Sequence, residues 1–369
     1  MSRELLFSML SLLPLAAGPA LSGEEHPLIP ALAASPIASI LTVPVNGDVN
    51  PYGVAFVPDG FPYGGILRPG DILISNFNAS FNLQGTGTTI VSISTEFNAS
   101  LFFQGPKGLG LTTALAVLKN GYVLAGNMPS PTGACSGAGF TGVGQGSLLV
   151  INRFGQQVAD LTSSAFLNGP WDMTVLDNGN FAQVFVSDVL SGTVTRLDMF
   201  VPAADAGNAP RLPVFATHIG SGYLHRCDPN ALVVGPTGLA LDPLRGTLYV
   251  ASTGDNAIYA IDNAERSFRS EGPGRVVYQD NAHLRGPVGL MLAPNGDLVA
   301  TNGDAVNGDP SHPSELVEFT TSGRFVAQRS VDPAQGAAFG LAVGNVGHTL
   351  FFATVDDATN LLDIWKVTP

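Results

Sequence analysis

The chain has 369 residues, of which 45% are hydrophobic and 12% charged, with 16 Lys and Arg and a formal net charge of −13. That composition can build a large core and excludes a disordered chain. No run of cations exists, so nucleic acid and anionic membrane surfaces are excluded as natural partners. An acidic balance favours solubility and is compatible with a cationic ligand or bound Ca²⁺.

In chain order, the first segment reads as an export signal over residues 1–22. Arg3 precedes an apolar run from Leu5 to Leu13, and Ala20 and Ser22 supply small residues before Gly23. The run is too short to span a bilayer, and Pro14 interrupts its end. The expectation is an exported protein, periplasmic or extracellular, with no membrane insertion after signal removal. A linker over 23–35 and a single domain over 36–369 would follow. The chain has 2 cysteines, Cys135 and Cys227. In an oxidising compartment they form a disulfide or remain free thiols in separate loops, and spacing alone leaves both open.

From residue 53 onward one phrase recurs: a short apolar strand, a turn ending in Gly, a second apolar strand and a small polar residue. The copies begin at Gly53, Ala114, Asp172, Gly238, Gly289 and Gly340. The closing turns end in Gly60, Gly121, Gly179, Gly246, Gly296 and Gly347, several as Asp-Gly or Asn-Gly pairs that supply a positive φ. The second strands are apolar almost throughout, such as Leu248-Tyr249-Val250-Ala251, which predicts burial on both faces. Third strands are predicted at 89–93, 147–151, 257–261 and 315–319, and fourth strands at 275–278 and 324–328. A step of this size holds four short strands, one blade of a propeller. The last repeat ends at 361–367 without a fourth strand, while 36–43 forms a spare strand ahead of the first blade. The predicted fold is therefore an all-β, six-bladed propeller of four-stranded antiparallel blades, in which this N-terminal strand completes the last blade and removes an open edge.

The Pro236-Thr237-Gly238 opening, the Gly-closed turn and the strand ending in a small polar residue resemble the NHL repeat. The chain is broadly similar to six-bladed propellers of the NHL and SMP-30/gluconolactonase type. In lactonases of that type, the resemblance implies metal-binding Asn and Asp at the middle position of the opening. Here those positions hold Tyr52, Thr113, Trp171, Thr237, Val288 and Phe339, so the metal-ligand pattern is missing. An aromatic and hydroxyl lining suits a ligand with an apolar face, with Tyr52, Trp171, Thr237 and Phe339 as candidate binding residues.

Asp172 replaces the Gly found at most repeat starts, and a carboxylate on an innermost strand needs a partner, water or metal. It is the candidate catalytic residue; a hydrogen bond to a neighbouring blade is its structural alternative. A polar column ends the second strands: Asn76, Asn127, Asp188, Ser252, Asn302 and Thr354. These shape the following loops, or Asn76, Asn127, Asp188 and Asn302 help hold a cation if they turn into the channel. The stretch from Asn302 to Asp309, with Glu315 after it, is rich in oxygen ligands suited to Ca²⁺ but lacks EF-hand spacing. His218, His225 and His283 fall in connections on one face. The same face carries the long loops 128–146 and 219–235, which a Cys135–Cys227 bridge would staple.

Two functions fit this reading. The first is a monomeric binding or interaction module that engages a polypeptide or small ligand on its loop face or channel mouth. The second is a metal-dependent hydrolase or lyase, with Ca²⁺ or Zn²⁺ in the central channel and Asp172 as ligand or base.

Overall fold

Strands that are apolar on both faces need cover on both sides. A computed structural model shows how the chain provides it; the residues described are 26–203, 212–303, 305–308, 310–311 and 315–367. The export signal over 1–22 lies outside the described residues, as do Asp304, Asp309 and His312. Six four-stranded antiparallel sheets stack face to face around an axis. Their innermost strands are Val49–Phe56, Leu111–Leu118, Pro170–Asp177, Pro236–Asp242, Pro287–Leu292 and Ala338–Val346. Each contacts the next, and the last returns to the first, so the array is a closed ring. The fold is a six-bladed β-propeller with almost no helix.

Burial follows position in the blade. The second strands Ile72–Asn78, Tyr122–Asn127, Thr247–Ser252 and Leu298–Asn302 are buried at every residue, because sheets lie on both sides of them. Outer strands such as Gln157–Leu161 and Phe325–Ser330 are only partly covered. Apolar clusters fill the gaps between adjacent blades, as in the packing of Leu124, Val150, Val184 and Met199 between the second and third. In the sixth blade the outermost position is taken by Ala38–Leu41, which pairs antiparallel with Leu361–Lys366.

Just before that strand, in the stretch read as a linker, Leu28–Ala31 forms a single helical turn. Its Leu28 and Ile29 amides donate to the buried Glu318 carboxylate, each at 2.7 Å. The two side chains pack with Met291, Leu316 and Trp365 across the junction of blades five and six.

Close approach of the inner strands depends on glycine. A Cβ on Gly340 would lie 1.9 Å from the Tyr52 carbonyl oxygen, and one on Gly289 would lie 2.5 Å from that of Phe339. A Cβ on Gly53 would lie 2.6 Å from the Thr113 carbonyl oxygen. Each contact joins one blade's inner strand to the next, so these glycines set the bore of the channel.

Register corrects one position of the polar column. Pro51 pairs with Asn76, Pro287 with Asn302 and Ala338 with Asp356. The sixth member is therefore Asp356, because the last inner strand and its hairpin run longer than their counterparts and shift the alignment by two residues.

Gly340→Ala should lower stability by roughly 1–3 kcal/mol or more through overpacking of the ring. Gly139→Ala, where no atom lies within 4 Å of the added Cβ, should be neutral. Urea unfolding midpoints check this, and equal midpoints for the two variants would contradict the tight inner ring.

Candidate functional site

The channel opens into a cavity at each end. The upper one, of about 390 Å³, lies on the face that carries the blade-to-blade connections. Its floor is aromatic. Tyr52 stacks between Phe77 and Phe339, with centroids 4.5 and 4.2 Å away, and meets the edge of Trp171 at 6.2 Å. Thus Tyr52, Trp171, Thr237, Val288 and Phe339 line one cavity together. Thr113 does not; it lines the lower cavity and donates its hydroxyl to the Trp171 carbonyl. Thr237 also faces inward, but its hydroxyl is engaged with Thr253 and the Pro287 carbonyl, each at 3.0 Å.

Two residues that line this cavity each hold a polar atom that is buried and lacks a partner among the described residues: the Trp171 indole Nε1 and the Asn50 Oδ1. A buried polar group without a partner costs about 1–3 kcal/mol. Asp357 also lines the wall. Burial, followed by the charges of Asp356 and Asp332, pushes its pKa from 3.8 up to about 7. Burial and then the Asp357 charge hold the Tyr52 phenol well above its ordinary value.

A hairpin roofs part of this cavity. Strands Arg226–Asp228 and Leu232–Val234 pair across a tip in which Asp228 accepts the amides of Asn230 and Ala231. Leu232 holds a left-handed φ of 63° and is buried with Tyr52, Phe77 and Trp171. The tip is tied to blade one, where Gln84 donates to the Asn230 carbonyl at 2.8 Å. Cys135 and Cys227 form a disulfide that joins the hairpin to the long loop of blade two.

Asp172 lies at the other cavity, of about 270 Å³, and does not face Asp357. Its carboxylate accepts its neighbour's Met173 amide at 2.7 Å and the Leu239 amide of the next blade at 3.3 Å. Burial raises its pKa well above the ordinary carboxylate range.

The polar column is not gathered at the axis. Asn76 donates to the Thr42 carbonyl, and Asn127 accepts the Gly110 amide. Asp188 accepts the Asn168 amide and the Thr195 hydroxyl, and its burial pushes its pKa up to about 7. Asn302 accepts the Arg285 amide and donates to the His283 carbonyl. Each side chain thus holds the loop that enters or leaves its own blade. Glu315, expected beside a Ca²⁺ loop, instead pairs with Arg285 at 2.7 Å.

The histidines are also held separately: His218 by Thr195 and the Ala165 carbonyl, His225 by the Tyr223 carbonyl, His283 by Asp280 at 2.6 Å. Among the described residues, no three of His, Cys, Asp and Glu are grouped to hold a metal ion. Among the described residues, Asn76, Asn127, Asp188 and Asn302 are thus held apart in separate loops rather than gathered around one ion.

Asn50, Gln335 and Asp357 were not anticipated as site residues. The signal for Asp357 was present as the Asp356-Asp357 pair, which the two-residue misalignment of the sixth blade hid.

No family model matches the chain, and no curated protein matches it. Solved structures do. A gluconolactonase from Xanthomonas campestris is 15% identical with a TM-score of 0.53, over 95% of this chain and 98% of that one. A glucose dehydrogenase is 14% identical with a TM-score of 0.50, over 91% and 99%. A virginiamycin B lyase from Staphylococcus aureus is 15% identical with a TM-score of 0.47, over 90% and 88%. At these identities the likeness concerns the propeller fold.

A raised carboxyl pKa means that the folded state holds its proton more tightly than the unfolded chain does. The corresponding stability is complete below about pH 4 and is lost as pH rises through about 7 for Asp357. Asp357→Asn should therefore flatten part of the fall in Tm between about pH 5 and about pH 8, by a few degrees at the upper end. Parallel Tm profiles for the variant and the parent would show that the carboxyl is solvated.

Proposed function

We propose that the protein is an exported binding module that takes a small cyclic ligand in its upper cavity. The observation that carries this reading is Trp171, which lines that cavity and whose buried indole N–H has no partner among the described residues. A ligand oxygen that accepts this N–H would relieve the unmet donor. Phe339 offers the ligand an aromatic face, while Asp357 can accept its hydroxyls. The matching chemistry is a ring with one apolar face and several oxygens, and a volume of about 390 Å³ falls in the range of small-molecule sites. The Cys135–Cys227 disulfide supports placement outside the cytoplasm. No helix among the described residues is long and apolar enough to cross a membrane.

One observation favours a second reading, a hydrolase or lyase acting in the same cavity. A carboxyl with a pKa of about 7 is poised to exchange a proton at neutral pH. Because one structural neighbour is a gluconolactonase, sugar lactones are the first compounds to test.

With Trp365→Phe as the parent, Trp171 is the sole indole, since the chain has 2 tryptophans. Titration with gluconolactone, monosaccharides and aryl glycosides should give a saturable fluorescence change for at least one class. Trp171→Phe, assayed by calorimetry, should weaken that binding about tenfold. Unchanged affinity in Trp171→Phe, or no binding across the panel, would refute the binding reading. Turnover of a bound lactone that disappears in Asp357→Asn would establish the second reading, and binding without turnover would dismiss it.

A further inference from the structure

The outer edge of blade three is built unlike the other outer edges, and none of its residues lines either channel cavity. Its outermost strand, Val214–Ser221, has 8 residues and is the longest of the outer strands. It carries no Asp, Glu, Lys, Arg or Pro. The outer strands Gln157–Leu161, Arg275–Tyr278 and Phe325–Ser330 each carry a charged residue, and Ala38–Leu41 and Ala99–Gln104 are shorter. Charge, proline and short length are the usual protections of an open sheet edge. Val214–Ser221 has none of them.

At its first half the strand is apolar on both faces. Val214 and Ala216 are half-buried beside Leu161 and Leu197, in a groove of about 460 Å³ between blades two and three. On the opposite face Phe215 is 75% exposed. Phe215 pairs with Asp198, and Phe200, two residues beyond Asp198, pairs with Phe181. Alternation puts these three phenylalanines on one side of the sheet, and Phe181 and Phe200 are 43% and 51% exposed. Arg196, on the same side, donates to the Ser267 carbonyl at 2.9 Å and fastens the loop that carries the exposed Phe268. The charges of Arg196 and Asp198 pair with each other at 3.1 Å. Further along the strand there is cover: His218 meets the Ala165 carbonyl and the Ser221 amide donates to the Gly272 carbonyl. The open stretch is therefore 214–217.

We infer that this edge is a self-association surface, at which a second copy of the chain adds its own 214–217 stretch as an antiparallel fifth strand. An open edge presents backbone N–H and C=O groups, and what satisfies them is another extended strand. That strand must also be apolar, to meet Phe215 on one side and the groove on the other. The same stretch of a second copy meets both needs. A two-fold axis at Phe215 sets each Phe215 opposite its copy, on the side that carries Phe181 and Phe200. At about 200 Å² for a whole side chain, the three phenylalanines expose roughly 350 Å². That is close to half of the about 800 Å² each partner buries in a standard interface, and the strand edges and Phe268 add to it. A two-fold contact of this kind closes on itself and stops at the dimer.

Sedimentation velocity on the full chain across the micromolar range should show a reversible monomer–dimer equilibrium. Added salt should strengthen it, because each copy carries a net charge of −13. Amide hydrogen exchange over 214–217 should slow as the concentration rises. Phe215→Lys sets like charges opposite each other and should weaken the dimer at least about tenfold. Leu244→Lys, 96% exposed at a hairpin tip of blade four, should leave it unchanged. The equilibrium and the exchange are read on the unmodified chain, so the test stands even if Phe215→Lys folds poorly. A chain that stays monomeric, a series that grows beyond the dimer, or exchange at 214–217 that ignores concentration would each overturn the proposal. So would a dimer that survives Phe215→Lys, or one that Leu244→Lys weakens equally. Failure here leaves the upper-cavity reading intact, because that reading is tested by ligands and by other variants.

Discussion

The structure depends on how closely six inner strands can approach around one axis. Close approach at Gly53, Gly289 and Gly340, where an added Cβ would meet the next inner strand's backbone, draws the ring tight. The aromatic side chains Tyr52, Trp171 and Phe339 then line the upper part of the channel, while the inner strands and Asp172 line its lower part. Two cavities of unlike character follow from one geometric restriction. A wider ring would merge them into a water-filled pore, and the desolvation that perturbs Asp172 and Asp357 would disappear.

The blades were legible because their chemistry is local. Burial on both faces forces runs such as Thr247–Ser252 to be apolar throughout, and the hairpin turns demand glycine at a fixed offset. Those signals repeat, and repetition makes them visible in a single sequence. The hairpin over 226–234 was not legible, since its strands have three residues each and its shape rests on a buried Leu232 in a left-handed conformation. The turn at Leu28–Ala31 was equally hidden, because its order comes from Glu318, which is 290 residues away in the chain.

The site was half legible. The position that opens each inner strand pointed to Tyr52, Trp171, Thr237 and Phe339, and these four line one cavity because the repeat places them at similar heights. Asp172 was found for the same reason, as a break in a pattern of glycines, yet the side of the waist it faces depends on backbone direction at a bulge between Pro170 and Asp172. The polar column is spread over separate loops. Alternation along a strand does not tell whether a side chain meets the axis or the loop next to it, and the loops needed those hydrogen bonds. Asp357 was missed because the sixth blade departs from the spacing of the others.

The hairpin above the aromatic floor is anchored at both ends, by the disulfide to blade two and by Gln84 to blade one. It therefore spans the mouth on that half and leaves the opposite half bordered by Gly303, Ala305 and Gly336, where side chains are small or absent. Among the described residues the more open side of the mouth is therefore off-centre, toward blades five and six. A ligand bound as proposed above would enter obliquely from that flank, and a portion too long for the chamber would project over those two blades rather than along the symmetry axis.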